Sequence, residues 1–223
     1  MAYELTKIRG NDLIDNPTPR CACLLVLDIS GSMSGAAIDE LNAGVQTFID
    51  AVHADEVAAC SVEIAVITAG GSVRQALPFT GALNLEHCAP MAAGGVTPLG
   101  QAVEQGLDLL EQRKAEYRRN GVAYYQPWVV LISDGSPTDS WQAVAQRTRQ
   151  LAEQRKLVSL PIGVSGADMG ILGQFSNRPA VALQGLQFRD FFLWLSASMS
   201  RVSQSASTTA SITLPSMDGW ASI

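Results

Sequence analysis

The chain alternates between short runs that are apolar throughout and longer stretches in which apolar residues recur every third or fourth position. Cys21 to Asp28 is the first run, and Val62 to Thr68, Trp128 to Ser133 and Leu157 to Val164 share its character. Continuous apolarity over such a length suits a strand buried on both faces. Pro179 to Leu183 predicts a short last strand. Between these runs, Ala36 to His53 carries Ile38, Leu41, Val45, Phe48 and Val52 along one helical stripe. Leu99 to about Arg119 does the same with Leu99, Val103, Leu107 and Leu110, and Trp141 to Lys156 predicts a third helix. Phe188, Phe191, Phe192, Leu195, Met199 and Val202 stripe a closing helix. Gly70-Gly71 separates the run at Val62 from Val73 to Phe79, which predicts a hairpin whose second strand is antiparallel at the sheet edge.

Strands alternating with helices build an α/β domain, a mostly parallel sheet with helices on both faces. A length of 223 residues fits one such domain. We divide the chain into a lead-in over 1–20, a domain over 21–207 and a tail over 208–223. The tail is rich in Ser, Thr and small residues; it reads as flexible or loosely docked, with Ser211 to Leu214 available for edge pairing and Trp220 for packing or a partner. Arg118 and Arg119 close a predicted helix, where complementing its dipole is the reading preferred to a phosphate site.

Composition narrows the function classes. Hydrophobic residues make up 47% of the chain and charged ones 16%, which indicates a well-buried globular protein. A net charge of −6 provides no basic face for nucleic acid. Neither a secretory leader nor an apolar stretch of about 18 residues is visible, so a cytoplasmic location and no membrane span are expected. The four cysteines have no Cys-x-x-Cys spacing and read as small buried hydrophobes. His87-Cys88 and His53 lack the companions that a zinc site needs.

Asp28-Ile29-Ser30-Gly31-Ser32 follows the first strand with a carboxylate and two hydroxyls at alternate positions. Extended chain turns such positions to one side, where three hard oxygen groups suit Mg²⁺. A polar turn after a strand is the other reading. Gly94-Gly95-Val96-Thr97-Pro98-Leu99-Gly100 adds a hydroxyl at a helix start, where Thr97 also reads as an N-cap with Pro98 at the first helical position. Val129 to Asp134-Gly135 ends a second apolar run in a carboxylate, and Asp-Gly is itself a common turn pair.

In this order the three segments resemble the metal-ion-dependent adhesion site (MIDAS) of von Willebrand factor A (VWA) domains, and the resemblance runs from about Cys21 to Ser207. Its DxSxS motif falls on Asp28, Ser30 and Ser32, its Thr on Thr97 and its distant Asp on Asp134. The resemblance implies a Rossmann-like, doubly wound, six-stranded sheet of order 3-2-1-4-5-6 with strand 3 antiparallel. In that order the strands ending at Asp28 and Asp134 are neighbours where the winding reverses, the usual place for a ligand. It further implies Mg²⁺, or Mn²⁺ or Ca²⁺ in the same site, and a partner protein supplying an Asp or Glu. Met33, Ser34 and Gly35 are the natural partner contacts, although Met33 equally suits the core. Two carboxylates without a cation repel, so both Asp28 and Asp134 are expected to tolerate removal from the metal-free protein.

Within the family the chain is similar to the TerY-like proteins of bacterial tellurium-resistance and stress-response clusters, on the early motif Asp28 to Ser34, a compact single domain and the closing segment Phe188 to Ser205. That similarity implies a non-enzymatic adaptor working with a kinase and a phosphatase, or a VWA subunit paired with a AAA+ ATPase. The rival class is a metal-assisted phosphohydrolase. Against it, the three loops contain no His, Lys or Arg, no Walker A lysine follows Gly94-Gly95, and Gly31-Ser32-Met33-Ser34-Gly35 has Met where a nucleophile elbow has Ser.

Overall fold

A computed structural model of the chain describes residues 16–205, 207–209, 212–217 and 221–222. In chain order the elements are β1 (Cys21–Asp28), α1 (Ala36–Ala54), α2 (Glu56–Ser61), β2 (Val62–Gly70), β3 (Ser72–Gly81), α3 (Leu99–Arg119) and β4 (Trp128–Ser133). There follow α4 (Gln142–Glu153), β5 (Val158–Gly163), α5 (Met169–Leu172), β6 (Val181–Leu183), α6 (Phe188–Ser203) and β7 (Ala221–Ser222). The sheet runs β3-β2-β1-β4-β5-β6-β7, so six strands take the order 3-2-1-4-5-6 and a two-residue seventh extends one edge. β1 pairs in parallel with β2 and with β4, while β3 turns back antiparallel to β2.

All eight residues of β1 are buried, because the strand is central and helices cover both faces. Period-two alternation splits its side chains between two cores. Cys21, Cys23, Leu25 and Leu27 pack with α1 and α6, whereas Ala22, Leu24 and Val26 pack with α3 and α4. Burial pushes the Cys21 thiol up to about 12, consistent with an inert hydrophobe. At the end of the sheet where the parallel strands begin, the buried Glu63 carboxylate accepts Arg113 Nε at 2.6 Å and the Tyr117 hydroxyl at 2.5 Å, with Arg20 Nε at 3.3 Å. This network ties α3 and the entry to β1 onto β2. No helix among the described residues is long and apolar enough to cross a membrane.

Three local departures from the predicted pattern have clear causes. Asp55 accepts the N–H groups of Val57 and Ala58 at 3.0 Å each and starts α2, a six-residue helix too short for periodicity to reveal. α4 stops at Glu153, before the expected Lys156, because Arg155 adopts a left-handed φ of 54°. Lys156 N–H then reaches Leu151 O at 2.8 Å and Arg155 N–H reaches Ala152 O at 3.0 Å, a Schellman stop built without glycine. Among the described residues, edge pairing by the tail falls on Ala221–Ser222 against Ala182 and Leu183 and not on Ile212 to Leu214, while Ser211 lies outside the described residues. Ile212 and Leu214 instead pack on the α6 side of the core, and Trp194 Nε1 donates to Pro215 O at 2.9 Å. Trp220 and the lead-in over 1–15 lie outside the described residues.

Candidate functional site

β1 ends at Asp28, whose side chain is fully buried between two donors. Its Oδ1 accepts the Ser30 N–H at 2.9 Å and its Oδ2 accepts the Ser133 hydroxyl at 2.6 Å. Ser30 continues extended, with φ −64° and ψ 174°, and so keeps the strand's alternation for two more residues. The chain then tightens into a 3₁₀ turn over Gly31–Met33. That turn, rather than continued extension, brings Ser32 Oγ to 3.0 Å from Ser30 Oγ. Ser32 Oγ donates onward to Asp134 Oδ1 at 2.9 Å. Four of the five expected residues thus form one hydrogen-bonded series from Asp28 through Ser30 and Ser32 to Asp134.

Thr97 joins this series through its loop, since its hydroxyl makes no hydrogen bond to the other four residues. Gly94 N–H donates to Ile29 O at 2.8 Å, Gly31 N–H to Gly95 O at 2.9 Å and Gly71 N–H to Val96 O at 2.8 Å. On its other side Thr97 O accepts Thr138 N–H at 2.9 Å, from the loop that follows β4. Thr97 is nevertheless not an N-cap. α3 begins at Leu99 with Pro98 before it, and the Asp139 carboxylate caps the helix through Gly100 N–H at 3.0 Å and Gln101 N–H at 2.8 Å. The Thr97 hydroxyl is therefore spared from capping.

The loops approach closely because glycine lines their contact. Gly95 has φ 74°, and a Cβ there would sit 2.4 Å from Gly71 Cα. A Cβ on Gly70 would sit 2.7 Å from Ile29 O. Periodicity gave these glycines turn roles only. It also passed over Ser133 and Asp139. Alternation held the clue to the first: Asp28 follows Leu24 and Val26 onto the α3 side of the sheet, and Ser133 follows Val129 and Leu131 there. Met33 is fully buried in the core, which removes it from the partner contacts, whereas Ser34, Gly35 and Val96 are exposed at the rim.

Burial pushes the Asp134 carboxyl above its ordinary value; the Ser32 hydrogen bond pulls it back, and the Asp28 charge pushes it up again. Among the described residues no Lys, Arg or His forms an ion pair with Asp28 or Asp134. Two neighbouring carboxylates and three hydroxyls, all hard oxygen donors without a basic side chain to balance them, fit a divalent cation such as Mg²⁺. No group of three or more His, Cys, Asp or Glu is placed to hold a metal ion among the described residues, so a softer, zinc-type ligand set is not offered. A cavity of about 820 Å³ between α3 and α4 contains Asp139 but none of the five residues, which lie at the open ends of the strands.

No curated protein sequence matches the chain. Among solved structures, it is similar to the pilus adhesin SpaC from Lactobacillus rhamnosus GG in its open conformation (TM-score 0.68, 13% identity, 82% of this chain and 30% of that chain). It is similar to the von Willebrand factor type A protein from Catenulispora acidiphila (TM-score 0.60, 15% identity, 82% and 43%). A third is proximal thread matrix protein 1 from the mussel byssus with a zinc-occupied MIDAS motif (TM-score 0.55, 15% identity, 81% and 47%). The chain spans less than half the length of each of these structures, and at such identities they show the fold alone. The model of the von Willebrand factor type A domain matches residues 24–192, which takes in Asp28, Thr97 and Asp134. With that match lying on a sheet of order 3-2-1-4-5-6, the chain belongs to the von Willebrand factor type A domain family.

Proposed function

We propose that the protein is a metal-dependent protein–protein interaction module, with Ser30, Ser32 and Thr97 facing the cation and Asp28 and Asp134 behind them. The observation that carries this reading is the hydrogen-bonded series itself, which ends both ways in carboxylates that lack a basic partner among the described residues. Asp28 spends both oxygens on Ser30 N–H and Ser133, so it orients the loop and supplies charge. When bound, Mg²⁺, or Mn²⁺ or Ca²⁺ in its place, supplies an electrophilic position that an Asp or Glu of the partner completes. Ser34, Gly35 and Val96 ring that position and meet the surrounding surface of the partner.

The role is non-enzymatic and cytoplasmic, and the setting is a bacterial tellurium-resistance or stress-response system with kinase and phosphatase partners. The resemblance to TerY-like proteins supports the setting. The absence of any Lys, Arg or His hydrogen bond to the five residues, among those described, supports binding over turnover.

Thermal unfolding in Mg²⁺ and in EDTA tests the site. A cation bound only by the native state adds RT ln(1 + [L]/Kd), about 2.7 kcal/mol at a hundred times Kd. Wild type should gain this stability, and Ser30→Ala and Thr97→Ala should lose most of it while unfolding normally in EDTA, since Asp139 keeps the α3 cap. Equal gains in all three proteins would remove Ser30 and Thr97 from the site. Recovery of partner proteins from bacterial cytoplasm should likewise depend on Mg²⁺, and full recovery in EDTA would refute the bridge.

A further inference from the structure

A second polar site lies at the other end of β4, where Tyr124 precedes the strand and Asp134 follows it. A cavity of about 410 Å³ opens there between the C-terminal half of α3, α4 and the segment entering β4. Its lining includes Lys114, Arg118, Arg147 and Lys156 against a single acid, Glu111. Four cations around one cavity are unexpected in a chain of net charge −6.

The charges do not all cancel. Lys114 Nζ pairs with Glu111 at 2.6 Å, and Arg147 pairs with Glu104 and Asp108 at 2.5 and 3.0 Å. Arg118 donates to the uncharged Tyr124 hydroxyl at 3.3 Å, and neither Arg118 nor Lys156 has a carboxylate partner among the described residues. Two positive charges are left over. The Lys156 backbone is fixed by the Schellman stop after α4, and the Tyr124 ring packs against Tyr117, centroids 5.3 Å apart. Lys114 is buried and has spent one of three N–H donors on Glu111, and the Tyr124 hydroxyl keeps its proton to donate. Leu151 and the Tyr124 ring add an apolar wall.

We propose that this cavity binds a phosphate monoester dianion, carried by a small molecule or by a phosphorylated side chain. The two unbalanced cations match its charge of about −2, and Arg118, Lys114, Lys156 and Tyr124 donate to its three terminal oxygens. The volume lies within the range of roughly 300–1,000 Å³ usual for small-ligand sites, so an organic body fits beside the phosphate.

Calorimetric titration of the full chain in EDTA keeps the metal site out of the measurement. Inorganic phosphate, free phosphoserine and a phosphoserine peptide should each bind saturably, and unphosphorylated serine should not. Tighter binding of free phosphoserine identifies a small-molecule source, tighter binding of the peptide a modified protein. Arg118→Ala and Lys156→Ala, both at exposed positions, should each weaken binding about tenfold or more, the effect of losing one charge-assisted hydrogen bond. Arg119→Ala, which removes an adjacent charge outside the lining, should leave it within about twofold. Affinity should also fall as pH drops below about 6, where phosphate takes up its second proton. No saturable binding of any phosphate up to about 10 mM, or equal weakening by Arg119→Ala and the two lining variants, would overturn the proposal.

Discussion

Asp28 and Asp134 stand in one cluster, yet removing them has opposite consequences. Asp28 is fully buried and satisfies two donors, Ser30 N–H and the Ser133 hydroxyl. Asp28→Ala strands the Ser30 N–H and leaves the Ser133 hydroxyl only the longer bond to Gly135 O at 3.2 Å, at a cost of about 1–3 kcal/mol, so we expect Asp28, unlike Asp134, not to tolerate removal. Asp134 accepts the hydroxyl of exposed Ser32 and its own backbone N–H, and its carboxyl is raised by burial and by Asp28. A raised carboxyl holds its proton more tightly in the folded chain than in the unfolded one. Stability from this group is therefore full below the ordinary carboxylate value and declines as pH rises through the folded value. In EDTA, Asp134→Asn should match wild type at low pH and exceed it at neutral pH, as read from urea midpoints across the range. A neutral-pH midpoint below wild type would contradict the repulsion that places Asp134 beside a cation.

At the scale of elements, the site depends on three loops locked by backbone contacts. Gly95→Ala forces a left-handed φ on a side chain and drives its Cβ into Gly71, for an expected loss of about 2–5 kcal/mol. Chemical denaturation measures this directly, and a loss below about 1 kcal/mol would mean that the loops separate readily. β1, β2, β4 and β5 and the four long helices were legible because burial on both faces writes continuous apolar runs and one-sided burial writes helical stripes. Asp28, Ser30, Ser32, Thr97 and Asp134 were legible as a pattern, and four of them meet through hydrogen bonds. What stayed hidden was set by contacts between distant loops. Asp139 took the cap that Thr97 was expected to provide, and Ser133 anchors Asp28 from a strand about a hundred residues away. Arg155 stopped α4 where glycine would have announced the end.

At the scale of the whole molecule, the described part of the tail docks on α6, the second of the two readings given for it. Ile212, Leu214 and Met217 pack on the core, and Thr213 O accepts Arg201 Nη1 at 3.1 Å. Deleting residues 206–223 uncovers these contacts and should cost about 3 kcal/mol, hence roughly 6–12 °C in Tm. An unchanged Tm would show that the packing contributes nothing. The central position of β1 has a kinetic consequence as well. Cys23 lies beside Trp128 and Leu27 beside Ile132, so one neighbour of this strand, apolar but for Asp28, leaves the ribosome about a hundred residues after it, a delay of roughly 5–20 s at ordinary rates of synthesis. Throughout that interval one edge of β1 offers unpaired N–H and C=O groups to any other nascent chain. Asp28 and Asp134 meet only when β4 docks, so the nascent chain acquires its metal site at the moment this aggregation hazard ends.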